Sequence, residues 1–230
     1  MTDSAPALVP HTIGIIMDGN RRWAKERGLP TLEGHRAGYG KLKDVCRWAR
    51  DAGVREVIVY AFSTENWNRS EEEVAYLMDL LGHALREMTD EAKREHMRLI
   101  VLGGRSRLSS ELCATIERSE HETLGGTFRL GVALSYGGRA EIIDAIRSIP
   151  PERIAAITED EFAKLLSTRD LHDPDLIIRT SGEQRLSNFL PWQSVYSELV
   201  FTPTYWPALE KAEFDAILAE YAARDRRKGK

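Results

Sequence analysis

Asp18, Gly19, Asn20, Arg21, Arg22 and Trp23 follow without a gap on the apolar run "TIGIIM" (12–17). Two further apolar runs end in the same manner. "EVIVYAF" (56–62) leads into Ser63, Thr64, Glu65, Asn66, Trp67, Asn68 and Arg69, and "DLIIRT" (175–180) carries Arg179 into Ser181, Gly182, Glu183, Gln184, Arg185 and Ser187. Arginine beside glycine and small polar residues suits phosphate. A guanidinium grips phosphate oxygens with two parallel hydrogen bonds, glycine lets the backbone come close, and a helix start favours anions. A carboxylate in that company repels phosphate unless a cation lies between them. Asp18 therefore reads as a ligand for Mg2+, a hard ion commonly held by one or two carboxylates together with substrate phosphates. Each piece alone is ordinary: Asp-Gly-Asn is a common turn, Asp18 or Glu73 could simply cap a helix, Trp23 and Trp67 could simply pack, and His35 could cap or sit in a core. Three such clusters at three strand ends point to a diphosphate–metal cradle.

The elements that must position these residues are readable as a βα alternation. Strands are expected at 12–17, 56–62, 98–103, 129–136, 175–180 and 198–202, several of them apolar at consecutive positions, as in strands covered on both faces. Helices are expected at 35–53, 71–95, 109–124, 139–149, 159–168 and 210–226. The clearest is 71–95, with Ser70 and Glu73 as a capping box and a stripe of Val74, Leu77, Met78, Leu81, Leu85 and Met88. On pattern alone that stripe is core. The alternation implies an α/β fold: a single domain over 1–230 with a central, mostly parallel six-stranded sheet flanked by helices. In such a sheet ligands bind beyond the carboxyl ends of the strands. Residues 1–10 are expected to be a flexible N-terminal segment and 224–230 a C-terminal tail.

Composition narrows the function. The 230 residues carry a net charge of −4, which argues against a protein built to coat nucleic acid or an anionic membrane. Cys46 and Cys113 are far apart, with no disulfide or zinc spacing, and fit a reducing cytoplasm. No signal-peptide pattern or membrane-spanning run is present, so a cytoplasmic location with at most peripheral membrane contact is expected. The chain lacks GxxxxGK[ST], GxGxxG after a strand, GxSxG and DDxxD.

"HTIGIIMDGNRRWAKERG", "GHRAG", "VIVYAFSTENWNRS", "LSYGGRAEI", "DPDLIIRTSGEQRLSNFLPWQ" and "SELVFTPTYWP" closely resemble the cis-prenyltransferases, in order and over residues 11–227. The resemblance implies a homodimer that condenses isopentenyl diphosphate with an allylic diphosphate (geranyl, farnesyl or geranylgeranyl) to form Z double bonds. It implies Mg2+ as cofactor. Asp18 matches the family's metal-binding catalytic aspartate; Gly19, Asn20, Arg21, Arg22 and Trp23 match its diphosphate loop, and His35 a histidine near it. Ser63, Thr64, Glu65, Asn66, Trp67 and Arg69 match a mobile substrate loop, with Asn66 at the position assigned to proton handling and Glu73 at the loop's base. Since an amide is a poor base, a catalytic relay through Ser63, His35, a water or the released diphosphate is expected. Arg179, Arg185, Leu186 and Ser187 match the isopentenyl diphosphate site. Glu198 matches a metal-linked carboxylate supplied across the dimer, and "RRKG" a C-terminal element near the partner's site. By the resemblance, the stripe on 71–95 becomes a wall for the growing chain and Phe128 a plug at its far end.

The chain departs from the family pattern at Thr31, Ser70, Pro191 and Lys228, and the segment 148–170 is short. A short-chain Z-prenyl diphosphate synthase of specialised metabolism and a non-catalytic subunit of a prenyltransferase complex are the alternatives.

Overall fold

The computed structural model describes residues 8–225. The expectations for residues 1–7 and for the "RRKG" element lie outside the described residues. Six strands, β1 (Thr12–Ile16), β2 (Glu56–Ser63), β3 (Met97–Leu102), β4 (Phe128–Tyr136), β5 (Leu176–Arg179) and β6 (Glu198–Phe201), form one sheet in the order β3-β4-β2-β1-β5-β6. The helices are α1 (Asn20–Glu26), α2 (Thr31–Asp51), α3 (Glu71–Arg94), α4 (Ser110–Glu122), α5 (Gly138–Ser148), α6 (Glu159–Ala163) and α7 (Lys211–Ala223). The expected α/β architecture is present, and the sheet is parallel. The chain forms two interleaved units, each compact in itself.

The first unit holds the chain up to Val57, Asp173–Arg185 and the chain from Gln193 on. Its strands β1, β5 and β6 run parallel, in register through Ile13, Leu176 and Glu198 at one end and Ile16, Arg179 and Phe201 at the other. All of β1 and β5 is buried, which is why both read as unbroken apolar runs. α2 starts at Thr31 behind Pro30, four residues earlier than expected, because proline suits a helix entry. α1 lies tight against α2. A Cβ on Gly34 would overlap the carbonyl of Asn20, and one on Gly38 would overlap the Asn20 side chain and lie 3.0 Å from Trp206. Trp206 is fully buried; its indole N–H donates to the Gly38 carbonyl (2.8 Å) and its backbone N–H to the Asp18 carbonyl (3.0 Å). Packing of α2 and the 206 turn thus fixes the backbone just before Gly19.

The second unit holds Ile58–His172 and Leu186–Trp192. β3 and β4 pair in parallel from Met97–Phe128 to Leu102–Ala133. β3 is an edge strand, and its outward N–H groups are capped by side chains: Leu99 N–H donates to Thr123 Oγ1 (3.0 Å) and Val101 N–H to Glu120 Oε1 (2.9 Å). Capping of this kind removes the edge as a template for further pairing. α3 buries Leu77, Leu85, Met88 and Ala92, whereas Val74, Met78 and Leu81 are only half-buried. Ser70 Oγ accepts from Glu73 N–H as expected, but the Glu73 carboxylate accepts from Arg69 (2.9 Å). The expected helix 159–168 ends at Ala163. Ser167 is captured by Glu141, which accepts from both its N–H and its hydroxyl, and that pulls the chain out of the helix.

Candidate active site

Two side-chain clusters carry the residues singled out by the sequence, one in each unit. In the first unit, Gly19 turns the chain between β1 and α1 with φ 101°, a conformation open to glycine. A Cβ there would also stand 2.7 Å from Tyr205 and 3.0 Å from Ser181. The turn leaves the Asp18 carboxylate between two arginines. Asp18 Oδ2 accepts from Arg179 Nη2 (2.8 Å), and Oδ1 accepts from Arg22 Nη2 (3.3 Å) and from Gly19 N–H (2.7 Å). Arg179 is 4% exposed, so its charge requires this partner; its other amino group donates to the Arg185 carbonyl. Arg22 also donates to the Ser181 carbonyl (3.4 Å), pairs with Glu183 (3.5 Å) and lies over the Tyr205 ring (5.7 Å). Arg185 is exposed and pairs with Glu183. Thr180 Oγ1 donates to the Asp18 carbonyl (2.7 Å), and the buried Ser181 Oγ has no hydrogen-bond partner among the described residues.

Three guanidiniums against two carboxylates leave this cluster weakly cationic. α1 has only seven residues, too short for the strong helix-start field expected from the sequence, so anion affinity here rests on the arginines. Arg21 is exposed, His35 is half-buried in α2, and Trp23 stacks under Arg27 (4.4 Å).

In the second unit, Thr64–Asn68 forms a 3-10 turn at the end of β2. Ser63 and Asn66 cap it reciprocally, with Ser63 N–H donating to Asn66 Oδ1 (3.1 Å). Trp67 donates to Ser135 Oγ (3.0 Å), meets Phe62 edge-on (5.1 Å) and lies under Arg107 (4.4 Å). Glu65 accepts from Thr64 (3.2 Å) and from Asn188 (3.0 Å). The Tyr60 hydroxyl reaches the carbonyls of Tyr136 (3.2 Å) and Ser187 (3.3 Å). Burial, reinforced by the Glu65 charge, pushes its phenol far above the usual tyrosine range, so it stays a neutral donor. Leu186 is half-buried and Ser187 exposed at the start of a left-handed stretch.

Glu198 does not join Asp18 within one chain. It opens β6 level with Ile13, three residues before the strand end where Arg179 stands, a separation of roughly 10 Å at strand rise. Its carboxylate accepts from Arg224 (2.7 Å), and Glu198 and Glu220 together raise the Arg224 guanidinium further. Spacing along the sequence gives no sign of Tyr205, Tyr60, Ser135 and Asn188, whose importance lies in long-range contacts that spacing does not encode.

Over residues 16–229 the chain matches the protein family described as "Putative undecaprenyl diphosphate synthase". The chain belongs to this family. It is a prenyltransferase, as the resemblance implied. The isoprenyl transferase of Agrobacterium fabrum is 43% identical over 236 residues, covering 100% of this chain and 96% of that protein. That of Streptococcus pyogenes serotype M6 is 46% identical, covering 96% of this chain and 94% of the other. Among solved structures, lavandulyl diphosphate synthase from Lavandula x intermedia, in complex with dimethylallyl diphosphate, superposes with a TM-score of 0.92 at 34% identity, covering 96% and 99% of the two chains. A probable undecaprenyl diphosphate synthase from Campylobacter jejuni gives a TM-score of 0.82 at 30% identity, with the same coverage. No helix of the described prenyltransferase is long and apolar enough to cross a membrane.

Proposed function

We propose that the chain condenses isopentenyl diphosphate with an allylic diphosphate, forming a Z double bond with the help of Mg2+. The observation that carries this reading is the Asp18 carboxylate held between Arg22 and the buried Arg179. A carboxylate that neutralises two phosphate-gripping arginines is an odd anion site by itself. It becomes a suitable one when a divalent cation takes the carboxylate and a diphosphate takes the arginines. The donor set fits Mg2+ in that form and not as a separate metal site. Among the described residues Asp18 is the carboxylate bonded to both arginines, and Mg2+ usually completes its shell with water and phosphate. The charge argues the same way: a phosphomonoester already carries about −1.5 to −2, a diphosphate more, and the weakly cationic cluster alone falls short. When bound, Mg2+ supplies Lewis-acid stabilisation of the departing diphosphate.

In this reading Arg22 and Gly19 hold the allylic diphosphate, and Arg179 and Arg185 hold that of isopentenyl diphosphate. Breaking the allylic C–O bond places the electron pair on the diphosphate, where Arg22 stabilises it. The isopentenyl double bond attacks the allylic carbon, held close and aligned. A proton then leaves the neighbouring isopentenyl carbon. Asn66 is a poor base, and its Oδ1 caps Ser63 N–H; we assign it an orienting role, with the released diphosphate as proton acceptor. Val74, Met78 and Leu81, half-buried on α3, supply apolar wall for the product, and Phe128, buried at the first residue of β4, bounds it. A homodimer is part of the proposal. It is supported by the edge position of β6 and by Val195 and Tyr196 beside it, 70% and 72% exposed.

One observation favours a second reading within the same chemistry. The lavandulyl enzyme, in complex with dimethylallyl diphosphate, superposes more closely than the Campylobacter protein. Incubation with Mg2+, labelled isopentenyl diphosphate and dimethylallyl, geranyl, farnesyl or geranylgeranyl diphosphate separates the two. Long polyprenyl products support chain elongation, products of one or two condensations support a short-chain synthase, and no labelled product from any primer ends both. Turnover by the purified homomer also rejects a purely non-catalytic subunit.

A further inference from the structure

Asn188 is a residue to which the sequence motifs assigned no role, yet it joins three segments of the second unit. Its backbone is left-handed (φ 68°), between Ser187 (φ 49°) and Leu190 (φ 51°), a conformation that asparagine tolerates better than most residues. Its Nδ2 donates to Glu65 Oε1 (3.0 Å), its Oδ1 accepts from Arg139 N–H (2.9 Å) and its carbonyl accepts from Gly138 N–H (2.9 Å). The partners fix the orientation of the amide, because a backbone N–H only donates and a carboxylate only accepts. The last two bonds satisfy the opening N–H groups of α5. Surrounding space is equally tight. A Cβ on Gly137 would overlap Thr64 and lie 2.9 Å from Asn188 Nδ2, and one on Gly138 would overlap the Pro191 ring. Burial alone would raise the Glu65 carboxyl, but hydrogen bonds from its own backbone, Asn188, Ser63 and Thr64 outweigh it and hold Glu65 below the usual range. It is therefore an ionised acceptor near neutrality.

We propose that Asn188 is a positioning residue for the isopentenyl diphosphate half of the reaction: through Glu65 it holds the 64–68 turn, and through its left-handed backbone it sets the direction of the adjacent Ser187. Its kinetic consequence rests on the prenyl-transfer reading; its structural consequence does not.

The test reverses the hydrogen bond. Asn188→Asp keeps an acceptor for Arg139 N–H and tolerates the backbone, but sets a second carboxylate against Glu65. Adding Glu65→Gln restores the bond with donor and acceptor exchanged. Amide hydrogen exchange over 63–68 and steady-state kinetics are measured for wild type, both single variants and the double variant. Asn188→Asp is expected to speed exchange over 63–68 about tenfold, the equilibrium factor of one hydrogen bond. It should also raise KM for isopentenyl diphosphate by a similar factor, with kcat and the primer's KM changed less. The double variant returns both quantities to those of Glu65→Gln alone. Effects that simply multiply, showing no coupling, overturn the proposal. Should Asn188→Asp fail to fold, Asn188→Gly retains the left-handed backbone and loses only the side-chain bonds; unchanged exchange over 63–68 then overturns it. A wild-type chain without transferase activity refutes the functional reading, while the exchange measurements still decide the Asn188–Glu65 link.

Discussion

Asp18 shows how far single residues could be read. Its type and place after an apolar run suggested a metal ligand, but not that it would be the counter-ion of a nearly buried arginine. That pairing changes what a mutation does. Beyond any metal it would hold, removing Asp18 costs the buried Arg179 a charge-assisted bond. Asp18→Asn is expected to reduce turnover by about a thousandfold, at the upper end for losing one preorganised electrostatic group, and to cost about 2 kcal/mol of stability. Single-turnover assays and thermal unfolding check the two halves. The arginines separate in the same manner. Arg185 is exposed and Arg179 is buried, so Arg185→Ala should raise KM for isopentenyl diphosphate at an unchanged melting temperature. Arg179→Ala should raise that KM and lower the melting temperature. Glu198 was readable only as a carboxylate in a motif; its pairing with Arg224 is a long-range contact that no local pattern announces.

At the scale of elements, periodicity served well where burial dictated it. The consecutive apolar residues of β1 and β5 were recognisable because both faces are covered, and α3 because its stripe spans several turns. Elements governed by particular side-chain contacts were harder to place. The expected helix 159–168 gives way where Ser167 is bound by Glu141, and Glu73 closes on Arg69. The glycines of "GHRAG" were matched as a motif, but their physical reason is the approach of α1. Gly34→Ala is expected to force α1 away from α2 and to destabilise the protein by about 1–3 kcal/mol, the range for overpacking. Denaturant titration followed by circular dichroism measures it; a neutral outcome would show that the contact yields freely.

For the whole molecule, the α/β class and the family were available from the sequence because long motifs recur in order across it. Product length was not. The resemblance named the stripe on α3 and Phe128, but which of these side chains are half-buried and which are buried depends on packing between separate elements and is read only from the structure. Phe128→Ala is expected to shift products toward longer chains, read by thin-layer or mass analysis of labelled products; an unchanged distribution would remove Phe128 as the boundary. The central claim, that a diphosphate and Mg2+ are captured together where β1 and β5 end, is tested most directly by a crystal structure of the chain with Mg2+ and a non-reactive farnesyl thiodiphosphate. The expected result is a metal bridging the Asp18 carboxylate and the diphosphate, with Arg22 turned from Asp18 onto phosphate oxygens. A diphosphate bound elsewhere, with Asp18 still engaged by both arginines, would contradict it.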